Sequence, residues 1–313
     1  MLSRGIRAVF GKSNPIPLRR ESPIGQDFDG ERGGDHCRDR RSHSDHHGGR
    51  PEGTWNTGGV ALSPEPHGSV PPEPITSDAP GRIDRPLLTQ SWLDLTFLHW
   101  AADPADIAPL LPTGVAPDTL AGVTYVGLVA FRMHRIGWRR LPGLPYLGTF
   151  PQTNVRLYSV DARGRRGVVF RSLDAARLLP VALARTVFQL PYRWSRMAIR
   201  TDGDLRTYAS TRRWPGPRDA RSRITIRVGE PIARPTELDH FLTARWGLHT
   251  ARHDRLLYLP NAHPRWPLHR AELLDCEETL LEAAGLAQPD HPPISVLYSP
   301  GVAARLGRPD RPR

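Results

Sequence analysis

Four polar side chains fall on alternate positions of one short stretch of this chain: Gln152, Asn154, Arg156 and Tyr158, within "FPQTNVRLY". Thr153, Val155 and Leu157 lie between them. Alternation of this kind marks a β-strand, whose successive side chains point to opposite faces. A wet sheet face accounts for such a stripe, because antiparallel sheets commonly have one solvated side. The wall of a cavity accounts for it too, and then the stripe has a chemistry. An arginine removed from water needs a paired charge or a bound anion. Its planar guanidinium fits a carboxylate through two parallel hydrogen bonds. Tyr158 and Asp174 are the groups expected to orient Arg156.

A second polar group sits in "NAHPRWPLH", read as a loop over the mouth of a barrel, with His263 beside Asn261, Arg265 and Trp266. A purely structural loop is the alternative. His249 and His253 are spaced so that a helix would turn both toward one metal, but the adjacent Trp246-Gly247 and a following strand argue against that helix. They are expected to be solvated or core-edge histidines, and no metal is expected. The chain has no dinucleotide or phosphate-loop fingerprint, no G-x-S-x-G, no H-E-x-x-H and no C-x-x-C, so no cofactor is expected.

The elements that must position these groups are mostly strands. "LLTQSWLDLTFLHWA" reads as an entry segment and a strand, followed by a short helix with Asp103 as cap and Pro104 at its first position. "GVTYVGLVAFRMHRIGW" alternates Tyr125, Gly127, Val129, Phe131 and Met133 with Val126, Leu128, Ala130, Arg132 and His134, a mostly buried strand. The polar-striped strand comes next, and "GVVFRSLDA" returns beside it after the turn "DARG". "DAARLLPVALARTVFQLPY" is the clearest helix. Strands follow at "WSRMAIRT", "LRTYAST" and "SRITIRVGEP", then a helix at "TELDHFLTARW" capped by Thr236 and a short strand at "LLYLP". "DCEETLLEAAGL" is expected to be a helix capped by Asp275, which places Cys276 in a helix, and "PPISVLYSPG" is the last strand. Hairpins dominate and regular βαβ alternation is absent. The expected fold is α+β: one domain with a large curved antiparallel sheet or partly open β-barrel and a few short helices.

Composition changes sharply near residue 86. Residues 1–85 are rich in Gly, Pro, Ser, His and charge, too apolar-poor to offset the entropy of ordering, and are expected to be disordered. A start codon placed too far upstream would also produce such a tail. Residues 86–302 form the expected domain, and 303–313 an expected disordered C-terminal tail. The first 85 residues hold 12 basic and 12 acidic groups, so the net charge of +11 belongs to the remainder. There it is spread out, with no basic helix, finger spacing or aromatic strand motif, and nucleic acid is not an expected partner. No run of 18 apolar residues is present, so no membrane span is expected. Two cysteines, Cys37 and Cys276, make no disulfide framework, and a reducing cytoplasmic setting is the default.

In sequence, the chain resembles the YqjF-like proteins, an uncharacterised family within the acetoacetate decarboxylase-like superfamily. The stretches that carry the resemblance are "FPQTNVRLYSVDARGRRGVVFRSLDA", "LARTVFQLPYRWSRM", "FLTARWGLH", "HPRWPLHRAEL" and "ISVLYSPGV", spread over residues 87–302. The resemblance implies a barrel-like β fold around an apolar cavity. In the decarboxylase a lysine in that cavity forms a Schiff base, its pKa lowered by a neighbouring cation. The similar place here is Gln189-Leu190-Pro191-Tyr192-Arg193, with Tyr192 at the nucleophile's position. Family members often carry Phe-x-Glu-x-Asn-Val-Arg in the matching strand, and this chain has Gln152 in place of that acid. The lysine argument needs no alignment: Schiff-base chemistry requires a primary amine, and the only lysine is Lys12. Lysine-dependent decarboxylation is therefore not expected.

Three functional readings fit. The leading one is binding of a small organic acid in the cavity, through Gln152, Asn154, Arg156, Tyr158, Asp174, Arg193 and His263. The first alternative is an enzyme of unknown reaction in the same cavity. Tyr192 would then act as a catalytic acid, with its proton held near Arg193 or Arg156, and Arg156 would stabilise developing negative charge. The second is a structural or protein-interaction domain whose barrel is merely packed, associating into a homo-oligomer through an outer sheet face or edge strand.

Overall fold

In the computed structural model, which describes residues 70–138, 143, 146–177, 190–252 and 255–310, twelve strands join in one sheet. In chain order they are β1 (Leu88–Ala102), β2 (Val115–Pro117), β3 (Thr124–Trp138), β4 (Phe150–Asp161), β5 (Arg166–Ala175), β6 (Tyr192–Asp202), β7 (Leu205–Trp214), β8 (Arg221–Pro231), β9 (Gly247–Arg252), β10 (Arg255–Ala262), β11 (His269–Glu278) and β12 (Ser295–Leu306). Two short helices are α1 (Pro104–Ile107) and α2 (Glu237–Thr243). The fold is α+β, as expected. The clearest helix of the sequence falls largely on residues 178–189, outside the described residues.

The pairings close the sheet twice. The antiparallel run β12-β1-β3-β4-β5 is common to both closures. One closure passes from β5 through β6, β7, β8 and β11 back to β12, a ring of nine strands. The other passes from β5 through β9 and β10 to β12, a ring of seven. The smaller ring is joined thinly: one parallel bridge, Val168 to Leu248, and two antiparallel pairs, Asn261 to Leu306 and Ala262 to Arg305. β12 thus runs past residue 302, and Asp310 exchanges backbone hydrogen bonds with Tyr258.

Because side chains alternate along each strand, the shared wall feeds both interiors. Leu98, Leu128, Val155, Leu157, Ile224 and Ile226 fill the nine-strand interior, plugged by Leu280 and Leu281 from the segment after β11. Phe97, Val129 and Phe131, one residue out of phase, face the seven-strand side. The two parities of the polar-striped strand therefore face two interiors, and neither is an outer sheet face.

The expected helices have mixed outcomes. α1 starts on Asp103, whose carboxylate accepts from Ala105 N. α2 has a full capping box between Thr236 and Asp239. The helix expected from Asp275 is instead the end of β11, so Cys276 lies in a strand. There, Asp275 pairs with Thr225, Cys276 with Ile224 and Glu277 with Arg223. Burial of Cys276 on one side and the opposite charge of Arg223 across from Glu277 favour a strand at this place, overriding local helix propensity. Only a short 3₁₀ turn, Glu282–Ala284, survives before Gly285, which adopts φ +84°.

Residues 70–85, part of the stretch expected to be disordered, hold contacts to the sheet. Glu73 N donates to Gly164 O at 2.8 Å, Arg166 Nε donates to Glu73 O at 2.6 Å, and Trp246 Nε1 donates to Thr76 Oγ1 at 3.1 Å. Ile75 packs against the core cluster that contains Tyr158 and Phe241. Relative to a chain starting at residue 70, one starting at 81 should lose about 2 kcal/mol for these hydrogen bonds. For a domain of this size that is a fall in Tm of roughly 4–8 °C. Equal melting of the two chains in calorimetry would show that the strap contributes nothing.

Candidate functional site

The seven-strand ring encloses a cavity of about 300 Å³. The pairing register ranks its walls in rows. The innermost row is His99, Gly127, Arg156 and Phe170 on β1, β3, β4 and β5. The next is Phe97, Val129, Asn154 and Leu173, with Tyr192 of β6 alongside Leu173. Gln152 faces Phe131 in the third, and Met133 faces Trp92 beyond it.

Gly127 is what lets Arg156 into this space. A Cβ there would stand 3.0 Å from Arg156 Cγ, 3.1 Å from its Nε and 3.3 Å from His99 Cδ2. Without one, the arginine stem lies across β3. Arg156 Nε donates to the Tyr158 hydroxyl at 3.2 Å, and Nη2 donates to Leu242 O at 2.7 Å. The Tyr158 hydroxyl donates to the same carbonyl at 2.8 Å. The guanidinium stands 5.5 Å from the ring centres of both Phe97 and Tyr158. Arg156 is only 9% exposed, and among the described residues no carboxylate forms an ion pair with it.

A second arginine, Arg245, also lines the cavity. Its Nε donates to Phe241 O at 2.7 Å, its Nη1 binds the Asp118 carboxylate, and its Nη2 has no hydrogen-bond partner. Burial draws its pKa down, opposed by Asp118. Asp118 is shared, since Arg166 Nη1 donates to its other oxygen at 2.6 Å. One carboxylate therefore serves Arg245 and Arg166, while Arg156 has none, so the inner end of the cavity carries an excess of positive charge. Tyr158 lies between the two cavity arginines as a platform, with Arg245 4.6 Å from its ring centre. Burial raises its pKa despite both cations, and it remains a neutral phenol.

Two amide oxygens of the striped strand, Gln152 Oε1 and Asn154 Oδ1, are buried without a partner. The Tyr192 hydroxyl is hydrogen-bonded to Gln152, and burial pushes its pKa up to about 12. The sequence reading placed a cation beside this phenol. The structure places a neutral amide there, whose hydrogen bond favours the phenolate but is outweighed by burial, so the phenol stays protonated at pH 7. His263 forms part of the wall, 4.5 Å from Trp246 and 4.6 Å from Trp266 between ring centres. Burial draws its pKa down to about 4, so the ring is neutral at pH 7. Asn261 and Trp266 line the cavity too, but Arg265 is exposed and pairs with Asp78.

Two expected site residues lie elsewhere. Asp174 does not orient Arg156. It pairs in register with Thr153, on the opposite face of β4 from Asn154, and its carboxylate holds Arg212 through bonds of 2.9 and 2.8 Å. Arg193 follows Tyr192 and is in register with Asp174, so it is not part of the cavity wall. His249 is in β9, with Nδ1 2.8 Å from Ser159 Oγ, and His253 lies outside the described residues. No cluster of three metal-ligating side chains occurs among the described residues.

Sequence reasoning missed Arg245, Asp118, Gly127 and His99. The last is fully buried with neither ring nitrogen partnered, and burial with Arg156 and Arg245 holds its pKa well below 6.5. Arg245 gave no local signal, because its partner is 127 positions away. Among the described residues, the cavity wall contains no lysine, cysteine, aspartate or glutamate. The arrangement can hold an anion, and it offers neither an amine nor a carboxylate base.

The fold is acetoacetate decarboxylase-like. The chain is similar to an acetoacetate decarboxylase-like enzyme from Sphingomonas wittichii RW1, with a TM-score of 0.50 at 13% identity over 76% of this chain and 95% of that one. Acetoacetate decarboxylase from Legionella pneumophila gives a TM-score of 0.46 at 12% identity, over 81% of this chain and 93% of that one. Within that fold the chain belongs to the DUF2071 family, described as an uncharacterized conserved protein, whose family model matches residues 89–303. The uncharacterized protein YqjF of Bacillus subtilis is 32% identical to it over 210 residues, 66% of this chain and 86% of that protein. Among the described residues no helix is long and apolar enough to cross a membrane.

Proposed function

We propose that this protein binds a small organic acid in the seven-strand cavity, with the carboxylate on Arg156. The observation that carries the reading is the state of that arginine: nearly buried, held by a carbonyl and a phenol, and without a carboxylate of its own. A buried cation left in that condition is costly, and a ligand anion relieves the cost. The Asn154 amide, one row away, supplies a further polar contact, and Arg245 Nη2 an unused donor. Schiff-base catalysis has no support, for want of any lysine beyond Lys12. The reading places the protein in the cytoplasm, consistent with its two cysteines, and requires neither nucleic acid nor a membrane.

Arg156→Ala tests it. Hexanoate binding followed by calorimetry should weaken about thirtyfold, the loss of one charge-assisted anchor worth about 2 kcal/mol. The urea midpoint should move little, because no buried carboxylate is abandoned. Undiminished hexanoate binding, or a loss of stability equal to the loss of binding, would return Arg156 to a structural role.

A further inference from the structure

The cavity is graded along its length, and the gradient names the kind of acid. Its charged groups, Arg156 and Arg245, lie at the inner end and are nearly buried. Asn154 and then Gln152 follow in the next two rows. Beyond Gln152 the wall turns apolar, with Phe131, Met133 and Trp92, and ends at half-exposed Leu87, Leu88 and Trp138. Among the described residues, the polar side chains toward that rim are uncharged: the amides of Gln90 and Asn261 and the neutral His263 ring, 5.8 Å from that of Trp92. Gly127, in register with Arg156, and Met133, in register with Trp92, are six residues apart on β3, roughly 20 Å at the rise of a strand. A short acid such as pyruvate or acetoacetate would fill the charged end and leave the aromatic length empty.

We infer that the ligand is an amphiphilic monocarboxylate of medium length, bound head-inward, with its apolar chain running from Asn154 past Phe131 toward Met133 and Trp92. This rests on the acid-binding reading above. The volume of about 300 Å³ holds roughly ten non-hydrogen atoms at the ~30 Å³ a water molecule takes in the liquid. Octanoate has that many. Among the described residues no charged side chain lines the apolar length, so a second charge on the ligand has no counter-ion there, which argues against dicarboxylates and sugar acids. Tight binding of the head also requires that the chain exclude water from the inner end, where Arg156 and Arg245 would otherwise be screened.

The test is a calorimetric series of butanoate, hexanoate, octanoate and decanoate on the full chain, with 1-octanol as a head-group control. Each buried methylene should tighten binding about fourfold. Butanoate to octanoate should therefore gain more than a hundredfold, and decanoate little more, because octanoate already fills the volume of about 300 Å³. Octanoate should also exceed octanol. If butanoate binds as tightly as octanoate, and both depend on Arg156, the acid site stands and the amphiphilic class is overturned. If octanol binds as tightly as octanoate, the acid reading itself falls, and this inference with it. Absence of binding across the whole series overturns both.

Discussion

Asp174→Ala should be among the most destabilising single changes in this protein, costing about 3–5 kcal/mol, the penalty for leaving one partner of a buried ion pair alone. Asp174 and Arg212 are both fully buried. The carboxylate accepts from Arg212 Nε and Nη2 and also from Ser195 Oγ at 2.7 Å, so one side chain satisfies groups on β6 and β7 from its place on β5. That place matters. β5 and β6 are joined by only three parallel pairs, Leu173 with Tyr192, Asp174 with Arg193 and Ala175 with Trp194. The rivet stands at the seam where the nine-strand ring leaves the shared wall, and Tyr192 enters the cavity from the same seam. A domain is stable by about 5–15 kcal/mol in all, so a loss of this size will lower the urea midpoint by a large fraction. Asp174→Leu combined with Arg212→Met should recover much of it, because the cost comes from the orphaned charge rather than from the missing pair. A midpoint for Asp174→Ala within measurement error of the parent would show that the guanidinium finds water instead.

The same residue shows where reading the sequence stops. Strand alternation was legible, because period two follows from the pleat alone: the stripe of Gln152, Asn154 and Arg156 does share one face, and that face is a cavity wall. Expecting Asp174 to serve Arg156 was reasonable from the hairpin but failed on register. The pairing sets Asp174 against Thr153, and one residue of register exchanges the faces of a sheet. A bulge adds to this. Val155 pairs with Ser172, but Arg156 pairs with Phe170, so Arg171 is skipped and turns to Leu110 O and Ala284 O. Val168 and Phe170 therefore share the cavity with Leu173, which belongs to the other parity of the strand. Double closure was not legible either, since it depends on three thin contacts far apart in sequence. The Asp275 helix failed for a related reason: local propensity was helical, and a partner strand some 50 positions upstream decided otherwise.

Stability should fall steeply on mild acidification, between about pH 6.5 and pH 4. His249 and His263 are both drawn by burial from 6.5 to about 4. For His249 the nearby Asp161, 3.6 Å from Nε2, pulls the other way and does not prevail. His99 is shifted in the same direction. A base whose folded pKa lies below its unfolded value binds more protons unfolded than folded between the two, and stability there declines as pH declines. Above pH 6.5 the full contribution is present, and below about pH 4 it has gone. Each shift from 6.5 to about 4 corresponds to on the order of 3 kcal/mol, so the two together rival the stability of a whole domain. Urea midpoints measured from pH 8 to pH 4 should show more than one proton taken up per unfolding event, and His263→Phe should reduce that uptake by close to one. A stability profile flat from pH 7 to pH 5 would mean that these imidazoles reach solvent in the folded protein. The consequence for the cavity follows from the same burial. With His99 and His263 held neutral, Arg156 and Arg245 are the charges that face a ligand, and the wall beyond them stays uncharged down to the pH at which the fold itself gives way.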